Sequence, residues 1–438
     1  MNICQGKNVY LIGIKGAGMA GLAQILKGLG YILTGSDIAD TFFTDDILKR
    51  AGIPFRKGFD AKKIPKDIDW AVSSGAYINS SKLKIQNSKL QVKSQNFNEN
   101  SEMKELERRR IPIMNYPEAL AYFFNQCYGI AVTGTHGKST TSAMIAHILT
   151  EAGKDPFALI GAELLNWHSN ARVPKKLTTN NLRPTTFFVI EADEYREQFL
   201  HYKPQMIVIT NIDYDHSDYF ATQNEYKNAF EKFKKNLKPN GIIIESKKLH
   251  AILYTLQVPG KHNQENAAIA FRACKALGLK DGEIITSLQT YKGLRRRLET
   301  IGEYQGARII DDYAHHPAEV SASLNALKEE YPNKRIIVLF HPHTYSRTKT
   351  FLKEFARSLI LADEIYFLDV YASAREKGGD AGSDEIIEEI AKLGRKAQNL
   401  RTIENALNYM RKHLQKNGLL VTMGAGDVFR IAQQLANL

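Results

Sequence analysis

The sequence predicts an α/β protein with three domains: an N-terminal Rossmann-like domain, a central P-loop-type domain with a parallel sheet, and a C-terminal Rossmann-like domain. Apolar strands alternate with helical segments along all 438 residues, and two of the strands run into glycine-rich turns that open helices. A chain of this length exceeds one ordinary hydrophobic core. We expect domains at residues 1–116, 117–292 and 293–438.

The composition is that of a soluble globular protein. Apolar residues make up 43% of the chain, and no apolar stretch is long enough to cross a bilayer. We therefore expect a cytoplasmic protein with no membrane partner. The net charge is +12, but the basic residues form no stripe with stacking aromatics, so we expect no nucleic-acid partner. Monomer and weak dimer both stay open.

One segment of the first domain differs from its surroundings. Residues 82–105 are rich in Lys, Asn, Gln and Ser and could bury little apolar surface. We predict an exposed, mobile insertion that a short linker could replace.

The strongest chemical signal is a variant P-loop in the central domain. An apolar strand runs into a glycine-rich turn that opens a helix, and backbone N–H groups in such a turn point at phosphate. Lys138 could reach the outer phosphates of a nucleotide, and the Ser139 hydroxyl could bind Mg²⁺. We expect Lys138 to be solvated in the free protein. The predicted phosphate contacts are Gly134, Thr135, Gly137, Lys138, Ser139 and Thr140.

A second glycine-rich turn follows the first strand. Its glycines are Gly13, Gly16, Gly18 and Gly21. They allow a tight turn and close approach of a diphosphate, and Asp37 lies about where a Rossmann unit places its ribose-binding acid. The chain is therefore predicted to bind two nucleotides, or one nucleotide and one nucleotide-linked substrate.

Acidic and imidazole groups follow two strands of the central domain, at the sheet edge where ligands bind. Glu191 is the best candidate for a hard oxygen ligand to Mg²⁺. His216 could hold a second ion, for which Mn²⁺ is the more usual partner of nitrogen. The alternative for Glu191, Asp193 and Asp213 is that they cap helices.

Polar residues also mark the approach to the third domain. Asn263 and Asn266 lie three apart on one helical face and could contact a base or ribose, although Asn263 could instead be an N-cap. Arg297 lies in a run of three arginines at the domain boundary. A closing domain could bring it to a transferring phosphoryl group.

Two polar clusters follow strands inside the third domain. Asp312 ends one strand and could bind ribose hydroxyls. His343 and Arg347 follow the next and could hold a small carboxylate substrate. A lone histidine is usually structural, but two clusters at the ends of strands in one sheet favour a binding site.

Taken in order, these motifs resemble the Mur ligase family from about residue 8 to Asp427. The resemblance is carried by Gly16–Met19 with Gly35–Asp37, Thr133–Thr140, Glu191–Glu194, Asn211–His216, Gly260–Asn266, Arg296–Glu299, Asp311–Pro317 and Pro342–Thr348. It implies domains for a UDP-linked substrate, for ATP and for an amino acid. The segments at 82–105 and 241–259 depart from the family pattern.

The resemblance implies ATP-dependent ligation of L-alanine to the carboxylate of UDP-N-acetylmuramate through an acyl phosphate, with Mg²⁺ or Mn²⁺. This step belongs to peptidoglycan synthesis and so to cell wall biogenesis, cell shape and cell division. Glu191–Tyr195 also suits a recycling ligase that attaches L-Ala-D-Glu-meso-diaminopimelate to the same sugar nucleotide. A nucleotide-binding module without catalysis is a further alternative. Arguing against it are the retained Lys138, Ser139, Glu191, His216 and Arg297.

Carried over by residue, the resemblance implies several roles. The UDP-substrate contacts are Gly16, Ala17, Gly18, Met19, Ser36, Asp37, Ser73 and Ser74. The catalytic residues are Lys138, Glu191, His216 and Arg297, with Ser139, Glu191 and His216 as metal ligands. Beyond the phosphate turn, the ATP contacts are His262, Asn263, Arg297, Asp312 and His315. The amino acid is received by His343 and Arg347.

Overall fold

The computed structural model describes residues 6–77, 100–175, 182–216, 219–246, 255–371, 379 and 381–438. Within these ranges the chain forms three sheets, each covered by helices. The predicted fold class is confirmed. Among the described residues, no helix is both long enough and apolar enough to span a bilayer.

The first sheet is wholly parallel and lies in the N-terminal part of the chain. Its strands are β1 (Asn8–Ile12), β2 (Ile32–Asp37), β3 (Arg56–Lys57), β4 (Trp70–Ser73) and β5 (Ile113–Asn115), and its helices are α1 (Ala17–Gly28), α2 (Phe43–Arg50), α3 (Ser101–Arg108) and α4 (Tyr116–Phe124). The strand order is β3-β2-β1-β4-β5. The central strand β1 is apolar and buried because a parallel strand is covered on both faces.

The second sheet carries the phosphate turn. Its strands are β6 (Tyr128–Thr133), β7 (Phe157–Leu164), β8 (Ser169–Arg172), β9 (Phe187–Glu191), β10 (Met206–Ile209) and β11 (Ile242–Glu245), and its helices are α5 (Lys138–Glu151), α6 (Gln223–Lys234), α7 (Lys261–Ala276) and α8 (Asp281–Gln289). The order is β11-β10-β6-β9-β7-β8, with β8 antiparallel at the edge. β6 therefore lies between the two strands that end in acidic loops.

The third sheet fills the C-terminal part. Its strands are β12 (Glu299–Tyr304), β13 (Ala307–Asp312), β14 (Arg335–Phe340), β15 (Glu364–Phe367), β16 (Gln398–Asn399) and β17 (Gly418–Met423). Its helices are α9 (Pro317–Glu330), α10 (Tyr345–Thr350), α11 (Leu352–Leu359), α12 (Ser383–Lys392), α13 (Ile403–His413) and α14 (Phe429–Ala436). The order is β12-β13-β17-β14-β15-β16, parallel except for β12.

The chain divides into two compact units. The first contains residues 1–250 and 266–288 and holds the first two sheets, while the second contains residues 251–265 and 289–438 and holds the third. Inside the first unit, α1 packs on β7 and β8, and the buried Asn170 donates hydrogen bonds to the carbonyls of Ala17 (2.8 Å) and Ile160 (3.3 Å).

The predicted exposed insertion at 82–105 is wrong for residues 100–105. Asn100 caps α3 by accepting hydrogen bonds from the N–H groups of Glu102 and Met103, and Glu102 is fully buried. Sequence composition failed here because the buried Glu102 carboxylate fixes the helix together with the apolar side chains of Met103 and Leu106, which pack in the core. Residues 82–99 lie outside the described residues, as do residues 247–254 of the stretch at 241–259, in which β11 is described.

Candidate active site

The loop between β6 and α5 has the form that binds phosphate. Gly134 and Gly137 have φ angles of 132° and 79°, which favour glycine. A Cβ would also lie 2.2 Å from the Thr210 hydroxyl in the first case and 2.4 Å from Asn266 Oδ1 in the second. Because α5 begins at Lys138, the unpaired N–H groups of its first turn face this loop, with Ser139 and Thr140 half-buried among them.

Lys138 is an ion-paired residue in the free protein. Its ammonium donates to the carbonyl oxygens of Gly134 (2.6 Å) and Thr135 (3.1 Å) and lies 3.0 Å from Glu194 Oε2, with 14% of the side chain exposed. The prediction of a solvated Lys138 is therefore wrong. Burial lowers the pKa of Lys138, but the neighbouring carboxylates, Glu194 first, outweigh burial and raise it above its ordinary value.

Three side chains beside Lys138 could hold a metal ion. Asp193, Glu194 and His216 each offer a ligand atom, and these atoms lie within 4.8 Å of one another. The predicted ligand Glu191 ends β9 and accepts a hydrogen bond from the Gly161 N–H (2.8 Å). Its role as a metal ligand stays a prediction, as does that of Ser139. Asp193 and Glu194 follow Glu191 directly, so the acidic run was the available signal for them.

The charges in this cluster are mutually dependent. Burial would raise the pKa of Glu194, but the Lys138 ammonium and His216 together lower it. Burial would likewise lower the pKa of His216, and its contact with Glu194 instead raises it. Loss of hydration around the carboxyl group and the Glu194 charge raise the pKa of Asp193, although the residue as a whole is exposed. Glu194 is thus an anion held in place by two basic groups.

Tyr226 contacts the buried Glu194 carboxylate, and Thr135 in turn contacts Tyr226. The Tyr226 hydroxyl lies 2.8 Å from the Thr135 hydroxyl and donates to Glu194 Oε1 (3.2 Å). The Thr135 hydroxyl also donates to the Asp213 carbonyl (2.6 Å). Asp213 therefore contributes its backbone to this support, and Thr135, a predicted phosphate contact, is mostly buried with its side chain engaged.

The glycine turn after β1 rests on the end of β2. The carbonyl oxygen of Ser36 accepts hydrogen bonds from Gly13 N–H (2.9 Å) and Ile14 N–H (3.2 Å). Asp37 is 5% exposed, and its carboxylate accepts from the N–H groups of Lys15 (2.7 Å) and Ile38 (2.8 Å). Both residues shape the turn, and direct contact of Asp37 with a ribose stays a prediction.

Several predicted contacts of the UDP-linked substrate have buried side chains. Ser36 donates to Glu102, Ser73 is fully buried, and Met19 packs in the apolar core at 3% exposure. These three side chains are buried in the free protein, and their contact with a ligand stays a prediction. A glycine-turn pattern locates the backbone but does not say which neighbouring side chains point inward. Ligand contacts remain available at Gly16, Ala17, Gly18 and Ser74, which are exposed or half-buried.

A buried carboxylate lies behind this turn. Glu102 accepts hydrogen bonds from the Tyr10 hydroxyl (3.0 Å), the Ser36 hydroxyl, Arg56 Nη2 (3.2 Å) and the Asp60 N–H (2.9 Å). Four donors satisfy one fully buried acid, so the desolvation of its charge is offset. Glu102 was not predicted as a structural residue of this site, because no local sequence pattern marks it.

The second compact unit gathers most of the remaining predicted residues. Glu319 lies 3.3 Å from His315 Nδ1 and 3.8 Å from Arg297 Nη1. Burial lowers the pKa of His315 to about 4, although 22% of its side chain is exposed. Burial and the Arg297 cation likewise lower the pKa of His262 to about 4. The sequence analysis missed Glu319, which lies one helical turn after His315.

Asp312 and Asn263, two residues predicted to contact the nucleotide, have side chains that are buried or hydrogen-bonded within the protein. Asp312 is 2% exposed, and burial raises its pKa to about 6 against the effect of Arg297. The Asn263 amide donates to the Pro259 carbonyl (2.6 Å). Asn263 therefore holds the start of α7 in place, and ribose contact by Asp312 stays a prediction.

His343 and Arg347 lie together after β14. Arg347 Nη1 is 3.5 Å from His343 Nδ1, and the rings of His343 and His315 are 6.3 Å apart. The Arg347 charge also acts on His315. The structure therefore brings the predicted amino-acid contacts next to His315 within the second unit.

These features define an α/β protein with a phosphate-type turn beside an acidic cluster that could hold a metal ion. Three sequence profiles match the chain: "Mur ligase family, catalytic domain" at residues 8–128, "Mur ligase middle domain" at 132–250, and "Mur ligase, glutamate ligase domain" at 296–426. The chain belongs to the Mur ligase family, and it is an ATP-dependent amide ligase by that membership.

Relatives match over nearly their whole length. The chain is 32% identical to a UDP-N-acetylmuramate–L-alanine ligase of Desulfitobacterium hafniense, covering 98% of this chain and 99% of the relative. It is 33% identical to the enzyme of that name from Carboxydothermus hydrogenoformans, covering 98% and 96%.

Solved structures share the fold. The UDP-N-acetylmuramate-alanine ligase of Thermotoga maritima matches with a TM-score of 0.77 at 23% identity, over 98% of each chain. A murein peptide ligase of Psychrobacter arcticus matches with a TM-score of 0.69 at 21% identity, over 99% of this chain and 98% of its own.

Proposed function

We propose that this protein joins L-alanine to the carboxylate of UDP-N-acetylmuramate and converts ATP to ADP and phosphate, in the synthesis of peptidoglycan precursors. The muramate carboxylate oxygen attacks the γ-phosphorus, and ADP leaves. The amine of L-alanine then attacks the acyl carbon of the acyl phosphate, losing a proton as phosphate departs. One amide bond forms for each ATP consumed.

The observation that carries this proposal is the pairing of Lys138 with Glu194 at the phosphate turn. The Lys138 ammonium lies at the start of α5, 3.0 Å from Glu194 Oε2. This ion pair fixes the position of the ammonium before a nucleotide binds to the turn. Phosphoryl transfer depends mainly on positioning and charge neutralisation. The metal-capable cluster beside this pair favours phosphoryl transfer over nucleotide binding alone.

The residues that would hold Mg²⁺ fit such an ion. Asp193 and Glu194 supply hard oxygen atoms beside His216, and Ser139 and Glu191 are further candidates on the same sheet edge. When bound, Mg²⁺ would neutralise charge on the nucleotide phosphates. Lys138 meanwhile orients the outer phosphates, and the buried Glu194 fixes the position of Lys138.

The second unit supplies the acceptor side of the proposal. Arg347 and His343 would hold the carboxylate of L-alanine, which leaves its amine free to attack. The neighbouring His315 has a pKa lowered to about 4 by burial, so it is neutral at ordinary pH and adds no positive charge that would repel a protonated amine. Arg297 would contact the nucleotide.

Acceptor choice is tested with the purified protein, ATP, Mg²⁺ and UDP-N-acetylmuramate. Either L-alanine or L-Ala-D-Glu-meso-diaminopimelate is added, and product mass and ADP release are measured together. We expect amide product and ADP in equal amounts with L-alanine. Product with the tripeptide alone would contradict the proposal and favour the recycling ligase.

A matched variant separates catalysis from mere nucleotide binding. Lys232→Ala removes an exposed lysine whose partner is Glu197 (2.7 Å), whereas Lys138→Ala removes the lysine of the phosphate turn. We expect normal ligation from the first variant and none from the second. Equal activity of both variants would contradict the assignment of Lys138.

A further inference from the structure

Tyr116 occupies a fixed position between two parts of the first compact unit. It is the first residue of α4 and directly follows β5. A capping box holds this turn, because Asn115 Oδ1 accepts from the Glu118 N–H (2.8 Å) and Glu118 Oε2 accepts from the Asn115 N–H (3.0 Å). The direction in which the Tyr116 side chain leaves the backbone is therefore well determined.

The ring of Tyr116 lies directly against the glycine turn. A Cβ built on Gly18 would be 2.5 Å from Tyr116 Cζ and 2.6 Å from the hydroxyl oxygen. Only glycine at position 18 allows this approach. The hydroxyl thus lies at the start of α1, where the backbone can receive a diphosphate.

The same hydroxyl lies near the acidic edge of the second sheet. Burial raises the pKa of Tyr116, and the carboxylates of Glu191 and Asp193 raise it further. The phenol therefore stays protonated, and its hydroxyl is available to donate a hydrogen bond to an acceptor. Within the described part of the chain, no group hydrogen-bonds to the Tyr116 hydroxyl.

An unpaired donor in a ligand-binding turn is a candidate ligand contact. The carboxylates of Glu191 and Asp193 are near but do not accept from it, and the Gly16 carbonyl of the adjacent turn already accepts from the Ala20 N–H (2.8 Å). The N–H groups at the start of α1 are further donors beside the phenol. Those donors and the phenol would converge on the same anion. A phosphate oxygen is a strong acceptor for both kinds of donor.

We propose that the Tyr116 hydroxyl donates a hydrogen bond to the diphosphate of the UDP-linked substrate and increases its affinity. The identity of that substrate rests on the proposed function. The contact explains why the ring is pressed on Gly18 while the hydroxyl is left without a protein partner. Tyr116 would then bind substrate without entering the reaction itself.

The test is Tyr116→Phe, which keeps the ring against Gly18 and removes only the oxygen. Tyr128→Phe is the matched control, because Tyr128 is a half-buried tyrosine at the opposite end of β6 from the phosphate turn. Calorimetry measures the Kd of UDP and of uridine, and steady-state kinetics give KM for each substrate. Thermal melting is recorded for both variants.

We expect Tyr116→Phe to weaken UDP binding and raise the KM for UDP-N-acetylmuramate about tenfold or more, as for a lost hydrogen bond to a charged group. The KM for ATP, the Kd for uridine, kcat and the melting temperature should not change, because uniform binding affects KM alone. Tyr128→Phe should leave every value unchanged.

Three results would overturn the inference: unchanged UDP affinity, an equal loss for uridine, or a lowered melting temperature that accounts for the weaker binding. Failure of the proposed function is a separate outcome. In that case the wild-type protein would make no amide product from UDP-N-acetylmuramate. The comparison of UDP with uridine would still test whether Tyr116 contacts the diphosphate.

Discussion

Removing the Glu102 carboxylate should destabilise the first compact unit and weaken the UDP-substrate site together. Glu102 is fully buried and accepts from Tyr10, Ser36, Arg56 and Asp60. Its partner Ser36 also holds the glycine turn through the backbone. The variant Glu102→Ala therefore leaves the donors unpaired directly behind that turn.

The expected loss of unfolding free energy follows from these partners. Breaking a buried charge pair costs roughly 3–5 kcal/mol, because the remaining charge has no compensation. Arg56 keeps 30% of its side chain exposed and can turn to solvent, which lowers the cost. The buried Tyr10 and Ser36 hydroxyls cannot, and each unpaired donor costs about 1–3 kcal/mol. We expect about 3–5 kcal/mol in total, and a smaller loss for Glu102→Gln.

Urea unfolding followed by a probe in the first unit measures this loss, and KM for UDP-N-acetylmuramate is measured alongside. Glu105→Ala is the control on the same helix, because the half-buried Glu105 pairs with Arg108 and Arg109, which both keep contact with solvent, and such ion pairs contribute little. Equal stability of the Glu102 and Glu105 variants would refute the reasoning.

A linker replacing residues 82–99 should be tolerated, whereas one replacing 82–105 should not.

Three further predictions concern the two units. Lys138→Ala should abolish ligation and lower the melting temperature, because the buried Glu194 loses the nearer of its two basic partners. Adding Glu194→Gln should restore melting but not activity, and restored activity would count against the assignment. Arg347→Lys should raise the KM for L-alanine roughly ten- to a hundredfold but leave the KM for ATP unchanged; a rise for ATP alone would move Arg347 to the nucleotide site. Burial lowers the pKa of His341 from 6.5 to about 4. Between these two pH values the unfolded chain binds a proton at His341 that the folded chain does not bind. The stability of the second unit should therefore be complete above about pH 6.5 and fall towards pH 4. His341→Asn should remove only its own share of that decline in urea unfolding, because His315 and His262 also have pKa values lowered to about 4; an unchanged slope would contradict the assigned cause.

Local sequence patterns predicted much of the fold. The apolar runs at residues 9–12, 187–190, 206–210 and 335–340 correspond to β1, β9, β10 and β14. Buried parallel strands are continuous apolar segments, so they are visible without knowledge of their partners. Both glycine turns also lie where the pattern indicated, because their backbone angles and close contacts require glycine.

Side-chain roles were less predictable, since they depend on contacts between distant segments. Glu102 reaches Tyr10, 92 positions away, and no local pattern marks such a pair. Lys138 was expected to be solvated because its partner Glu194 lies 56 positions away. Met19 follows a binding glycine and yet faces the core. Helix direction decides that orientation, and glycine spacing alone does not give it.

The most direct test of the proposed reaction follows an oxygen atom. UDP-N-acetylmuramate labelled with ¹⁸O in its carboxylate is incubated with the protein, ATP, Mg²⁺ and L-alanine, and the released phosphate is analysed by mass spectrometry. Attack of the carboxylate on ATP predicts one ¹⁸O in the phosphate for each amide bond formed. Unlabelled phosphate, or ATP hydrolysis without amide product, would contradict the account.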